Sequence, residues 1–117
     1  SRLMWQQGGS KKFMNLEKTQ AYVEKLNIDN YAGFSDWRLP TLEEAMTLIE
    51  MEIKSNGLHV DAVFDKTQRW IWTADRVKGQ SSGNWIVTFY NGSCHSYSEE
   101  GNFVRAVRFV KSPTYTK

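Results

Sequence analysis

The chain has 117 residues, 40% of them hydrophobic and 14% aromatic, with 15 lysines and arginines against 13 acidic residues. That length and apolar share suit one domain with one sizeable core. A formal charge of +2 falls far short of the basic clusters of a nucleic-acid binder, and no apolar run approaches the roughly 20 residues of a membrane span.

No signal peptide or targeting tail is visible, and with Ser1 in first place we expect an excised domain. The single cysteine, Cys94, excludes an intramolecular disulfide, and a zinc cluster built from it with His59 and His95 lacks further ligands at motif spacing. Residues 1–57 carry 7 basic and 8 acidic groups, and residues 58–117 carry 8 and 5, so the later half holds a mild positive excess.

In chain order, Leu3-Met4-Trp5 has strand composition and runs into Gly8-Gly9-Ser10-Lys11-Lys12, which predicts a flexible, basic tip. Asn15 is a candidate N-cap for a short amphipathic helix whose Leu16, Val23 and Leu26 face the core and which stops by Asn27. The stretch from Gly33 to Glu44 concentrates order. Pro40 holds Leu39 extended, and Thr41 with Glu44 forms a capping box that opens a second helix behind the proline. Arg38, with its five donors, is expected to bridge backbone carbonyls where the chain turns. The second helix is predicted from Leu42 to about Lys54, with Leu42, Ala45, Met46, Ile49 and Ile53 on its buried side and Asn56-Gly57 closing it.

Residues 58–68 lack periodicity and read as an irregular bridge anchored by Val60, Val63 and Phe64. Trp70-Ile71-Trp72-Thr73 is a predicted strand, followed by a polar loop from Ala74 to Gly83. Trp85–Tyr90 and Ser93–Ser98 flank Asn91-Gly92, the pair suited to a two-residue type I′ hairpin turn. That turn sets Tyr90 opposite Ser93, Phe89 opposite Cys94 and Thr88 opposite His95. Alternation then sends Trp85, Val87, Phe89 and Cys94 inward and Thr88, Tyr90, His95 and Tyr97 outward. After a turn at Glu99–Asn102, Phe103–Val110 is apolar on both faces apart from Arg105 and Arg108 and reads as a central strand.

These marks, Leu3-Met4-Trp5-Gln6, Ala21 and Leu26, Gly33 to Pro40 with Trp-Arg-Leu-Pro intact, Trp70 to Thr73, and Val104 to Arg108, run in an order that resembles the Lcl C-terminal domain family of bacteria. Two departures stand out: Ala106 where that family often has cysteine, and Glu44-Ala45-Met46 in place of a more usual Glu-Leu pair. The resemblance implies an α+β, C-type lectin-like fold, two helices packed on a small twisted mixed or antiparallel sheet, as a single domain over residues 1–117, with the last strand paired to the first. It also implies relatives of two other kinds, formylglycine-generating oxidases and calcium-dependent sugar-binding lectins. The oxidases use two active-site cysteines where this chain has one. The lectins use a proline-centred triplet and a Trp-Asn-Asp segment that this chain lacks. The sequence leaves open a calcium held by Asp61, Asp65 and Asp75.

Catalysis is not expected. Cys94 and His95 are neighbours on a strand and point to opposite faces, which denies them a thiolate and imidazolium couple. No cofactor is implied. Binding is the better class. Tyr90, His95 and Tyr97, beside a loop carrying Arg76, Lys78 and Asn84, combine flat aromatic surface with cationic and amide donors, against the plainer alternative that the tyrosines only cover the sheet. Lys11, Lys12 and Arg69 are the further candidate contacts. The resemblance implies an adhesin domain, surface-exposed or secreted and trimeric, that binds sulfated glycosaminoglycans or other host glycans. The rival expectations are a protein ligand, and a sensor domain joined to an effector such as a kinase, which would place it in the cytoplasm.

Overall fold

The computed structural model describes residues 2–78, 83–97 and 101–110. The chain is α+β, with two helices and two small antiparallel sheets. Strand β1 (Leu3–Trp5) pairs with the last strand, β5 (Val107–Phe109), in the register Leu3 to Phe109 and Trp5 to Val107. The second sheet has the order β2 (Trp70–Arg76), β3 (Asn84–Thr88), β4 (Ser93–Tyr97). Two sheets stand where one was expected. They are joined by residues 102–107, which bridge in turn to Met14, to Ile71 and to Arg38. The ladder breaks there because side chains take the place of strand partners. The Val104 amide donates to Ser10 Oγ and the Ala106 amide to Gln6 Oε1, each at 2.9 Å or less.

Helix α1 (Leu16–Ile28) begins where its cap requires, with Asn15 Oδ1 accepting from the Lys18 amide at 2.9 Å. It covers one face of the three-stranded sheet, where Leu16, Tyr22 and Val23 pack against buried Trp72, Ile86 and Val104. Its end, at Leu26, packs on Trp37 and Ala106 beneath the β1 and β5 pair. Asn27 fastens the Trp37 backbone in both directions, accepting from its amide at 2.7 Å and donating to its carbonyl at 3.0 Å.

Helix α2 covers the opposite face, where Ala45 packs with Leu58, Val60, Ile71, Val87 and Phe89. The capping box forms as predicted, but α2 spans only Leu42–Met46. The predicted run to Lys54 is overturned because the chain tightens: the Leu48 and Ile49 amides reach back three residues, and those of Glu50 and Lys54 donate to the carbonyls of His59 and Leu58 instead. Ile53 and Met51 are exposed, at 65% and 95%, so the helical spacing that placed Ile53 inside has no helix to act on.

Arg38 does not bridge carbonyls chiefly. It makes a bidentate pair with Glu44, at 2.8 and 2.9 Å, with a longer bond to the Leu39 carbonyl. The bridging role falls to Arg105, fully buried, which donates to the carbonyls of Gln6, Gln7, Gly8 and Asp65 and to Gln68 Oε1, all between 3.0 and 3.1 Å. The expected flexible tip is pinned up to Ser10, whose carbonyl accepts from Gln68 and whose amide donates to Val104. Burial pulls the Arg105 guanidinium down to about 10, with the Asp65 carboxylate opposing. The group therefore stays charged at neutral pH.

Candidate functional site

The β3 and β4 hairpin sets the geometry of the site, and its register differs from the expected one. Thr88 pairs with Ser93, Val87 with Cys94 and Ile86 with His95, a slip of two residues that keeps Val87 and Cys94 on one face and Thr88 and His95 on the other but lengthens the turn to Phe89–Gly92. Phe89 causes the slip. Its amide donates to the Arg69 carbonyl and its own carbonyl accepts from the His59 amide, both at 2.7 Å, while its ring is buried among Ala45, Leu58 and Val60. Phe89 is thus held by other segments and leaves the ladder. The Gly92 amide then closes the turn on the Thr88 carbonyl, with φ of 68° at Gly92 and no positive φ at Asn91, so the turn is not type I′.

The expected aromatic strip is broken up accordingly. Tyr90 sits in the turn, 64% exposed, and does not stand beside His95 on the strand. Asn84 is 4% exposed, and its side-chain amide donates to the Thr73 carbonyl across the bulge between β2 and β3, which makes it a buried sheet residue. Arg76 pairs with Asn84 at one end of the hairpin and Trp70 with Thr88 at the other, about 14 Å apart by the four-residue rise of β3. Arg76 and the exposed Lys78 are therefore remote from Arg69 and Tyr90. The loop residues 79–82 lie outside the described residues, as does the side chain of Tyr97. Lys11 and Lys12 are exposed next to Phe13.

What the fold brings together lies on two sides of the Phe89–Gly92 turn. On one side a cleft of about 260 Å3 is lined by Lys66, Arg69, Tyr90, Thr67 and Asn56. On the other, a cleft of about 340 Å3 is lined by Phe13, Trp70, Thr88, Asn91 and His95. Arg69 and Trp70 form the wall between them, the guanidinium carbon standing 5.1 Å from the indole centre and 5.2 Å from that of Phe103. Among the described residues, no acidic side chain lines either cleft. Neither Lys66 nor Arg69 has an ion-pair partner among the described residues. Sequence reading named Arg69 and Tyr90 but missed Lys66, Thr67, Phe13 and Trp70. Lys66 and Thr67 lie in the aperiodic stretch 58–68, where no sequence period marks which residues share a surface.

Against this geometry, the match of residues 1–108 to the Lcl C-terminal domain decides the family. The chain belongs to the Lcl C-terminal domain family. Membership suggests a domain of a bacterial surface protein. No curated protein matches this Lcl C-terminal domain. Among the described residues, no helix is long and apolar enough to cross a membrane. Among the same residues, no three of His, Cys, Asp and Glu group closely enough to hold a metal ion.

Proposed function

We propose that this domain is a non-catalytic recognition module of a bacterial surface or secreted protein, C-type lectin-like in fold, that binds glycans, with sulfated glycosaminoglycans the favoured class. The observation that carries the reading is the Lys66 and Arg69 cleft. Two cations without acidic partners line one hollow with a phenol, a hydroxyl and an amide, a donor set that suits sulfate or carboxylate oxygens through charge-assisted hydrogen bonds. Lys11, Lys12, Arg76 and Lys78 lie outside that cleft and add longer-range attraction, which salt screens. Affinity from one such cleft is weak. Assembly as a trimer would raise the effective concentration along a repeating polyanion.

The absence of catalysis is part of the same proposal. Cys94 packs against the core cluster of Val87 and Phe89 and so faces away from His95. The Ser93 hydroxyl lies 2.9 Å from His95 Nε2 and donates to Asn91 Oδ1 at 2.7 Å, an arrangement that does not direct its proton to the imidazole. A second reading, a protein ligand, draws on the exposed Met51 and Ile53, since exposed apolar side chains favour protein contacts. A sulfated-glycan array tests the two. Spots lit by heparan-type chains at low salt and dimmed by Lys66→Ala with Arg69→Gln support the glycan reading. A blank array with a folded protein transfers the function to the protein-ligand reading.

A further inference from the structure

We propose that the second cleft, between Phe13, Trp70 and His95, is a subsite for a single uncharged pyranose ring; this deepens the glycan reading above and rests on it. The first ground is charge. Among the described residues, the lining side chains of this cleft are aromatic, aliphatic or neutral polar, with no Lys, Arg, Asp or Glu, so a sulfate there would meet no full opposite charge to offset its desolvation. Lys66 and Arg69 line the other cleft, with Arg69 packed on the Trp70 ring between the two. The second ground is shape and size. A volume of about 340 Å3 lies at the small-ligand end of binding sites, enough for a ring and not for a chain.

The third ground is the pattern of hydrogen-bonding groups left over. Ser93 Oγ gives its proton to Asn91 Oδ1, so the bond of 2.9 Å between Ser93 Oγ and His95 Nε2 takes its proton from the imidazole. In the tautomer that completes this chain the hydrogen is on Nε2, and Nδ1 is then an acceptor without a partner among the described residues. Asn91 keeps both amide protons. Thr88 Oγ1 accepts from the Tyr90 amide at 3.2 Å and retains its own proton to give. One acceptor and two donors around an aromatic pair match a sugar diol, whose hydroxyls both donate and accept while the apolar C–H face of the ring lies on the negative face of an aromatic system. An aromatic side chain from a protein would use the apolar walls and leave these polar groups unmet.

Saturation-transfer NMR on the intact domain with methyl glycosides of neutral hexoses tests the assignment, at about 0.05 M and about 1 M salt. Transfer to the ring C–H protons of at least one glycoside is expected, unchanged by salt, lost in Phe13→Ala and weakened roughly tenfold in His95→Ala. Phe13 is 62% exposed, so its removal leaves the fold in place, and Lys66→Ala should leave the signal untouched. No transfer to any neutral glycoside from a folded protein overturns the proposal, as does transfer that survives both Phe13→Ala and His95→Ala. Transfer to indole or p-cresol without transfer to glycosides overturns the sugar assignment in favour of an aromatic side chain. Heparin binding that persists while neutral glycosides fail sinks this subsite alone. Loss of both sinks the glycan reading with it.

Discussion

Arg105 ties the amino-terminal loop, by three hydrogen bonds, to residues 65–68, by two more, while none of its own surface reaches solvent. Its ring contact with Phe64, at 4.7 Å, closes the remaining side. Lysine at this position keeps the charge but has three donors on one nitrogen and cannot reach acceptors spread over residues 6–8 and 65–68. Arg105→Lys should therefore lower unfolding free energy by about 2–4 kcal/mol, as buried carbonyls lose their partners, measurable by urea denaturation; a loss under about 0.5 kcal/mol would show that water takes over the role. Gly9 is the second residue on which the loop depends. Its φ is 147°, and a Cβ there would meet the Val104 carbonyl oxygen at 2.0 Å. Gly9→Ala should cost at least about 2 kcal/mol, and full stability in the same urea assay would contradict the contact. Neither residue stood out in the sequence. The carbonyl-bridging role was expected of Arg38, and Arg105 read only as an interruption of an apolar strand, because Arg105's partners lie up to 99 residues away, a distance no local pattern encodes.

At the scale of elements, local signals were legible and long-range ones were not. The caps at Asn15 and Thr41 were readable because their partners sit three residues on. The length of α2 was not, because it ends when the backbone turns to meet residues 58 and 59. The hairpin was legible as a hairpin and in its two faces, but its register was set by Phe89 leaving for the core. Glu44 gives this level its clearest test. Its carboxylate serves Arg38 and the Thr41 amide together, and the Arg38 hydrogen bond above all holds its pKa below the ordinary 4.5. A lowered carboxyl pKa stabilises fully above that ordinary value and loses its contribution as pH falls through the folded one. Glu44→Gln should cost about 1–2 kcal/mol at neutral pH, with solvent screening keeping the figure small. The gap between the two proteins should shrink as pH drops below 4.5. Parallel stability curves over that range would show that the pair contributes no linkage.

For the whole molecule, the α+β class was readable, as was the family order of motifs that residues 1–108 bear out, and with it the pairing of first and last strands that the resemblance implied; the reading of Phe103–Val110 as a central strand was not, since only Val107–Phe109 forms a strand, in a two-stranded sheet. The site was half readable. Composition pointed to aromatic and cationic contacts, and Arg69 and Tyr90 do share a cleft, but the strip joining Tyr90 to His95 depended on a turn that did not form. Lys66 escaped notice since it lies in the irregular bridge, where its position depends on the fold around it and not on any period. The central claim is that Lys66 and Arg69 hold the anionic groups of a sulfated glycan, and calorimetric titration of a short heparin-derived oligosaccharide tests it most directly. The account predicts binding that weakens as salt rises and drops about tenfold, roughly 1.4 kcal/mol, in the Lys66→Ala, Arg69→Gln double variant, while Arg76→Ala with Lys78→Ala has a smaller effect. Unchanged affinity in the Lys66 and Arg69 variant, or binding indifferent to salt, would contradict it.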